Sequence, residues 1–310
     1  MKKHIHNIKG PINLDALGLI LPHEHLFTDL RGPHVPGYAQ GEPSAVIKLV
    51  EPHLAEAAAT GVTALVECST VGVGRNLSIL RNLAQATSIH IVPPTGVYRD
   101  AYIPDSLREL SEGNLAALWI KELSEGMEGT SMRAGFIKLA MSDDGPTDLE
   151  VRNLRAAARA SQSTGAAIAS HTIGGRIAKM EMEVLEGAGL DLGRFIWVHA
   201  QTEPDFSILK EAARHGAYVE LDTVGASFQS QSELLEIAIA LIEAGFVNRL
   251  LLSHDAGWYN PARSDGLPED GYRGYTALAQ DFIPALLGRG VSQEEVRRIT
   301  VHNPAQAFAF

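Results

Sequence analysis

Eight short apolar runs, each ending in polar residues, recur along this chain and are separated by stretches of helical character. In the first half the runs are LGLILPHEH (17–25), ALVECS (64–69), IHIVPPTGVY (89–98) and AGFIKLA (134–140). In the second half they are AAIASHT (166–172), FIWVHA (195–200), AYVELDT (217–223) and RLLLSHD (249–255). Short apolar strands that alternate with helical crossovers are typical of parallel βα units.

The intervals carry the stop signals of helices. SAVIKLVEPHLAEAAATG closes on Thr60-Gly61, and LEVRNLRAAARASQSTG closes on Gly165. Eight strands with eight crossovers predict a closed (β/α)8 barrel, the TIM barrel, as a single domain over residues 1–310. A doubly wound open sheet is the alternative. It usually has a glycine-rich phosphate turn after its first strand, where this chain has PHEH (22–25).

Composition and charge restrict the functional classes. The chain has 310 residues, 45% of them hydrophobic, and a formal net charge of -11, which is typical of an acidic globular protein. Such a surface repels nucleic acid and anionic lipid alike. No window approaches the length of a membrane span, and the N-terminus lacks the apolar stretch of a secretion signal, so we expect a cytoplasmic protein. Cys68 is the only cysteine and predicts no internal disulfide.

Potential metal ligands follow the predicted strands at their carboxyl ends, where barrel active sites lie. They are His23, His25, Lys138, His171, His199, His254 and Asp255. His23 and His25 project to the same side of a strand and Glu24 to the other, whereas His254 should point away from Asp255. Imidazole and carboxylate together suit zinc and other first-row divalent ions. Each histidine alone is equally compatible with a core residue bonded to backbone carbonyls, but the whole set predicts a metal site.

Lys138 lies in the middle of GFIKLA, a run that should be buried. A charged ammonium is costly there. One explanation is that the side chain reaches solvent along its aliphatic stem. The other is that the neutral amine adds carbon dioxide and becomes a carbamate, whose two oxygens can bridge two metal ions.

The ordered set HEH, GFIK, SHT, VHA and SHD resembles the phosphotriesterase family of the amidohydrolase superfamily. The likeness extends to TGVYRDAYIP, FIPALLGRGVSQEEV and HNPAQAF, and so covers essentially the whole chain. It implies that one divalent ion is held by His23, His25 and Asp255, the other by His171 and His199, and that carbamylated Lys138 bridges them. It also implies a bridging hydroxide as nucleophile, with Asp255 passing its proton to the leaving group. Zinc is expected, although manganese, cobalt or iron accept the same ligands. A homodimer is a further implication.

Departures from the family pattern concern the substrate. Thr202 and Thr223 occupy the positions of the proton relay of the phosphotriesterases proper, so organophosphate specificity is not implied. Tyr98 is similar to a strand-three tyrosine of the phosphotriesterase-like lactonases, but their Arg-Tyr pair after strand seven is absent. The segments TGVYRDAYIP and LDTVG look closest to the phosphotriesterase homology proteins.

Candidate substrate-binding residues lie after strands three and eight. They are Tyr98, Arg99, Trp258, Tyr259, Arg263 and Arg273. Trp258 and Tyr259 could pack on a substrate, and Arg263 or Arg273 could hold a carboxylate, phosphate or sulfonate. Alternatively the arginines bridge to Asp265, Glu269 or Asp270 at the surface. Asp100 and Asp222 are candidate acceptors for the ligand histidines, or turn residues.

Three functions remain open from the sequence. The first is a binuclear metal-dependent hydrolase of lactones, with weaker esterase or phosphotriesterase activity. The second is hydrolysis of an amide, such as an N-acyl amino compound. The third is a barrel that binds a small molecule without catalysis, which predicts a broken ligand set. Because all the ligand positions are filled, we rank the third function last.

Overall fold

Strands and helices alternate from one end of the chain to the other in the computed structural model, which describes residues 3–310. The strands are β1 Ile5–Asn7, β2 Gly10–Ile12, β3 Leu19–Phe27, β4 Val62–Glu67, β5 His90–Val92, β6 Pro94–Gly96, β7 Phe136–Ala140, β8 Ile168–His171, β9 Phe195–Val198, β10 Tyr218–Leu221, β11 Leu250–Leu252 and β12 Gly257–Tyr259. The α-helices are α1 Pro43–Ala59, α2 Leu77–Ala86, α3 Asp105–Arg108, α4 Glu112–Ser124, α5 Asp148–Thr164, α6 Gly175–Gly187, α7 Phe206–Arg214, α8 Gln231–Glu243, α9 Ile283–Gly288, α10 Gln293–Arg297 and α11 Asn303–Phe308.

The barrel is built from two parallel sheets, with strand orders β11-β10-β9-β8-β7-β6 and β12-β3-β4-β5. The third predicted run is divided at Pro93 into β5 and β6, one in each sheet. The other junction is closed by hydrogen bonds to His23: its N–H donates to Ser253 Oγ at 3.0 Å, and its carbonyl accepts from the Asp255 N–H at 3.2 Å. The predicted (β/α)8 barrel is therefore confirmed, although β12 was not predicted as a strand.

The antiparallel hairpin of β1 and β2 is a second feature that the apolar pattern did not reveal. Its Ile5 and Ile12 pack in one buried cluster with inward residues of the barrel strands, such as Ile20 and Phe136, and with Phe308 of α11. The hairpin and α11 therefore cover the amino-terminal end of the barrel interior, and the carboxyl ends of the strands stay free for a site.

The two helices predicted in detail end where their stop signals lie. α1 closes before Thr60 and Gly61. α5 begins with reciprocal hydrogen bonds between Thr147 and Glu150 and ends at Gly165, whose φ of 84° is left-handed. No helix among residues 3–310 is long and apolar enough to span a bilayer.

Candidate active site

A cavity of about 550 Å³ opens at the carboxyl ends of the barrel strands. We call the six predicted ligands that line it the floor: His23, His25, Lys138, His171, His199 and Asp255. We call the loop side chains that line its entrance the rim: Leu30, Phe228, Glu269 and Asp270. The structure thus brings together all six residues predicted to hold metal.

One group of the floor comprises the three residues assigned from the sequence to the first ion. Asp255 Oδ1 lies 3.1 Å from His25 Nε2 and 3.5 Å from His23 Nε2. Ligand atoms of His23, His25 and Asp255 all lie within 4.8 Å of one another, a spacing that one ion can span. His23 and His25 both face the cavity, as predicted for residues two apart on β3.

Lys138 and two further histidines form the other group. The ring centroids of His171 and His199 lie 4.5 Å apart. Lys138 is 2% exposed, and its Nζ has no hydrogen-bond partner among the described residues, whereas His171 Nε2 lies 3.5 Å from Asp143 Oδ1. A buried amine without a partner is costly as a cation but fits a carbamate that ligates metal. These residues therefore fit a second ion bridged to the first.

Three of the four histidines predicted to bind metal are oriented by a partner behind them. The Nδ1 atoms of His23, His25 and His199 lie 2.8, 2.7 and 2.8 Å from Glu220, Ser69 and Asp222, respectively. A partner at Nδ1 leaves the Nε2 lone pair for a metal ion.

The two aspartates proposed as acceptors for the histidines differ in their surroundings. Asp222 is fully buried and accepts hydrogen bonds from the side chain and the main-chain N–H of His199. Asp100 instead pairs with Arg108 at 2.8 Å, so its proposed contact with a ligand histidine is wrong. The reason is that Asp100 begins a short helical turn after β6, which carries its side chain away from the cavity.

Electrostatics favour the protonation states that bind metal. Burial, reinforced by the nearby charge of Lys138, lowers the pKa of His23 to about 3. Burial also lowers the pKa of His171 to about 4, despite the nearby Asp143. Desolvation alone would raise the pKa of Asp255, but His23, His25 and His199 hold it well below its ordinary value. At neutral pH the site thus offers neutral imidazoles at His23 and His171 and an ionised Asp255.

Backbone strain is concentrated at this cavity. His199, Asp255 and Trp258 have φ values of 64°, 49° and 64°, in the left-handed region that side chains larger than glycine rarely adopt. His199 directly follows β9, and Asp255 lies shortly after the end of β11. Such conformations persist where surrounding contacts enforce them, and they are frequent at functional sites.

The candidates for substrate binding separate into two sets. Tyr98, Trp258 and Arg273 line the cavity. Tyr98 Oη lies 3.4 Å from His171 Nδ1, and the Trp258 ring meets His25 edge-on at 5.9 Å between centroids.

The other three candidates are outside the cavity lining. Arg99 pairs with Asp143 at 2.9 Å, and Arg263 pairs with Asp265 at 3.2 Å, in keeping with the surface ion pair considered from the sequence. Tyr259 stacks on Phe27, with ring centroids 6.1 Å apart. Arg99, Arg263 and Tyr259 are therefore no longer assigned to substrate binding, because their side chains contact neighbouring acids or a ring instead of the cavity.

Two rim residues were missed by the sequence reasoning. Leu30 is 53% exposed and Phe228 is 80% exposed, and both line the cavity. The signal for Phe228 was available, since it is an isolated aromatic residue in the polar stretch ASFQSQS. Leu30 gave a weaker signal, as a single apolar residue between Asp29 and Arg31.

His254 takes the role expected from its position beside Asp255. It is 1% exposed, its Nδ1 lies 2.5 Å from Glu24 Oε1, and its Nε2 accepts from the Leu278 N–H at 2.9 Å. Glu24 accepts from Ser253 Oγ as well, at 2.8 Å. His254 and Glu24 therefore hold the end of β11 against β3 behind the floor. The residues predicted to bind metal project from the opposite face, into the cavity.

Comparison with known proteins gives a consistent result. The model of the phosphotriesterase family matches residues 3–308. A phosphotriesterase homology protein of Mycobacterium tuberculosis is 30% identical over 98% of this chain and 97% of its own. An N-acetyltaurine hydrolase of Danio rerio is 25% identical, over 100% of this chain and 99% of its own.

Among solved structures, a mutant of a phosphotriesterase-like lactonase from Deinococcus radiodurans superimposes with a TM-score of 0.89. It is 30% identical, and the match covers 98% of this chain and 99% of the lactonase. Family, fold and the cluster of candidate metal-binding side chains agree with one another. The chain belongs to the phosphotriesterase family and is a hydrolase of the (β/α)8 barrel type.

Proposed function

We propose that this protein is a binuclear metal-dependent hydrolase of lactones. In this proposal His23, His25 and Asp255 hold one divalent ion, His171 and His199 hold the other, and carbamylated Lys138 bridges them. The observation that carries the proposal is the Lys138 amine, buried among the ligand histidines and without a hydrogen-bond partner in the described part of the chain. Zinc suits these ligands, as do manganese, cobalt and iron.

Bound divalent ions would lower the pKa of water toward roughly 7 and polarise the carbonyl oxygen of the ester. The protein side chains supply the remaining steps. Asp255 accepts the proton of the attacking water at its carboxylate and passes it to the alkoxide oxygen that leaves the acyl carbon. Tyr98 and Trp258, which line the cavity, position the ring of the substrate.

The charges of the cavity support a neutral cyclic ester. The two arginines considered for an anionic group are both engaged, Arg263 with Asp265 and Arg273 with backbone carbonyls. Arg99 is also paired, with Asp143. Glu269 and Asp270 contribute negative charge at the rim. A sulfonate or carboxylate on the substrate would face these acids, whereas an uncharged lactone would not.

Amide hydrolysis is the second candidate. The similarity to an N-acetyltaurine hydrolase over the full length of both chains favours it. The same floor would serve both reactions, but an amide places a greater demand on Asp255, because the amine leaving group must be protonated before it departs.

The test combines metal content with substrate preference. Metal per chain is measured by elemental analysis, and hydrolysis is measured on lactones, N-acyl amino compounds and an organophosphate. The variants are Lys138→Ala and the control Lys179→Ala, whose lysine forms a surface pair with Glu211. We expect about two metal ions per chain in wild type and Lys179→Ala, with metal binding and lactone turnover both lost in Lys138→Ala.

Other outcomes would revise the proposal. If the protein prefers N-acyl compounds, the proposed metal site stands, but the proposed substrate becomes an amide instead of a lactone. If wild-type protein bound no metal after incubation with bicarbonate and divalent ions, and hydrolysed nothing, the binding-protein interpretation would take the place of the catalytic one.

A further inference from the structure

A short segment of the loop after β12, Tyr272-Arg273-Gly274-Tyr275, has side chains that donate hydrogen bonds to main-chain carbonyls of the floor. Arg273 Nη2 donates to the carbonyl of His254 at 2.6 Å and to the carbonyl of Asp255 at 2.5 Å. Tyr275 Oη donates to the carbonyl of His25 at 2.7 Å. His25 and Asp255 are two of the residues proposed to hold the same ion.

Asp255 requires such support because of its backbone. β11 ends at Leu252, so Asp255 lies beyond the sheet ladder, and its φ of 49° is left-handed. A conformation of this kind is strained and persists only where neighbouring contacts enforce it. The N–H of Asp255 is bonded to the His23 carbonyl, and its own carbonyl is held by Arg273. The guanidinium therefore fixes the peptide that directs the Asp255 carboxylate into the cavity.

Tyr275 has a corresponding relation to His25. It is fully buried, and its hydroxyl lies 2.7 Å from that of Tyr272, which can donate to it. A Cβ on Gly257 would lie 2.1 Å from Tyr275 Oη and 2.4 Å from the His25 carbonyl oxygen. Glycine at position 257, with φ of 94°, thus leaves the room that this hydrogen bond needs.

We propose that Arg273 and Tyr275 are positioning residues, which hold the main chain of Asp255 and His25 so that both side chains meet on one metal ion. The role rests on the proposed metal-dependent function. It differs from substrate binding by Arg273, the role considered from the sequence, because two hydrogen bonds of Arg273 Nη2 are committed to carbonyls. Partners behind a ligand orient it, and their loss typically weakens metal affinity about 10- to 100-fold.

The first measurement is the affinity for zinc by competition with a chromophoric chelator. Arg273→Met keeps an aliphatic stem but removes the donors, Arg273→Lys restores a donor, and Arg263→Met is the control at an exposed arginine of the same loop. We expect Arg273→Met to bind zinc about 10- to 100-fold more weakly, Arg273→Lys to recover part of the loss, and the control to match wild type. Unchanged zinc affinity in Arg273→Met, with a raised KM alone, would mean that Arg273 serves the substrate and would overturn the proposal.

The second measurement does not depend on metal. Hydrogen exchange of the peptides spanning 23–28 and 253–258 is compared in metal-free wild type, Arg273→Met and Tyr275→Phe, with the peptide of β8 as internal reference. Faster exchange is expected at 253–258 in Arg273→Met and at 23–28 in Tyr275→Phe, because the held backbone is released. Unchanged exchange in both variants would refute the positioning role even if the enzyme bound metal normally. Failure of wild type to bind zinc would instead refute the proposed function, and with it the metal-positioning role.

Discussion

The floor and the rim of the cavity are built in different ways. Floor side chains project from strands or from the residues just after them, and His23, for example, is 2% exposed with a buried partner, Glu220, at Nδ1. Rim side chains come from loops: Phe228 is 80% exposed, and Glu269 and Asp270 are exposed as well. The sheet thus carries the groups whose mutual distances matter for the proposed chemistry, and loops carry exposed groups at the cavity entrance.

This difference indicates where change is tolerated. A floor residue shares its environment with other ligands and their partners, so that one substitution alters several interactions at once. A rim residue such as Phe228 contacts mainly solvent and substrate. We therefore expect substitutions at the floor to affect metal binding and turnover, and substitutions at the rim to affect substrate preference.

The largest effect is expected from His199→Ala in the floor. The substitution removes a proposed ligand and leaves Asp222, which accepts from both the ring and the main chain of His199, without its imidazole partner. We expect kcat/KM on the best substrate to fall roughly 1,000-fold or more, equivalent to about 4 kcal/mol, together with loss of metal.

His215→Ala is the matched control for that measurement. His215 is half exposed and pairs with Glu186 at the surface, 3.1 Å away. It should keep wild-type metal content and kcat/KM. Equal activity of His199→Ala and His215→Ala, measured after metal loading, would contradict the assignment of the floor.

An intermediate effect, on stability, is expected from Glu181→Gln behind the floor. Glu181 of α6 is fully buried and accepts from Ser170 and Thr172, which flank His171 on β8. Burial raises its pKa from 4.5 to about 8. The folded protein therefore keeps this proton up to about pH 8, whereas the unfolded chain releases it near pH 4.5. Protonated Glu181 therefore stabilises the fold fully at pH values below its pKa in the unfolded chain. This contribution is lost as the pH rises through its pKa in the folded protein.

Glutamine mimics the protonated acid at every pH. Denaturant unfolding of wild type and Glu181→Gln is therefore compared at several pH values. Between about pH 5 and about pH 9, the free energy of unfolding of Glu181→Gln should rise relative to that of wild type by on the order of a few kcal/mol. A difference that stays constant across this range would show that Glu181 is ionised in the folded protein.

The smallest effect is expected from Phe228→Ala in the rim. Because the ring is largely exposed, its removal should change the free energy of unfolding by less than about 0.5 kcal/mol. Lost contact with an apolar substituent should raise KM a few-fold for substrates that carry one, with kcat and metal content unchanged. A large fall in kcat would show that the rim takes part in the chemistry and would remove the distinction between the two regions.

The sequence determined which residues form the floor. Parallel strands in a barrel have their carboxyl ends at one mouth, so any ligand at those positions is brought to the same cavity whatever the loops do. The alternation of side chains along a strand was enough to separate His23 and His25 from Glu24. This is a consequence of local periodicity and strand direction, both of which can be read from a sequence. Asp255 and His254 face different ways, as predicted, but they lie beyond the end of β11, where the left-handed backbone of Asp255 replaces the alternation of a strand.

Only the tertiary structure decided which partners the remaining side chains take. Arg99, Arg263 and Tyr259 are residue types common in binding sites. In the structure Arg99 pairs with Asp143, Arg263 pairs with Asp265, and Tyr259 stacks on Phe27. Asp100 pairs with Arg108, and Arg273 donates to the main-chain carbonyls of His254 and Asp255. The physical reason is that an arginine or aspartate in a loop is paired by whichever partner the chain path brings within a few ångströms, and no periodicity in the sequence encodes that path.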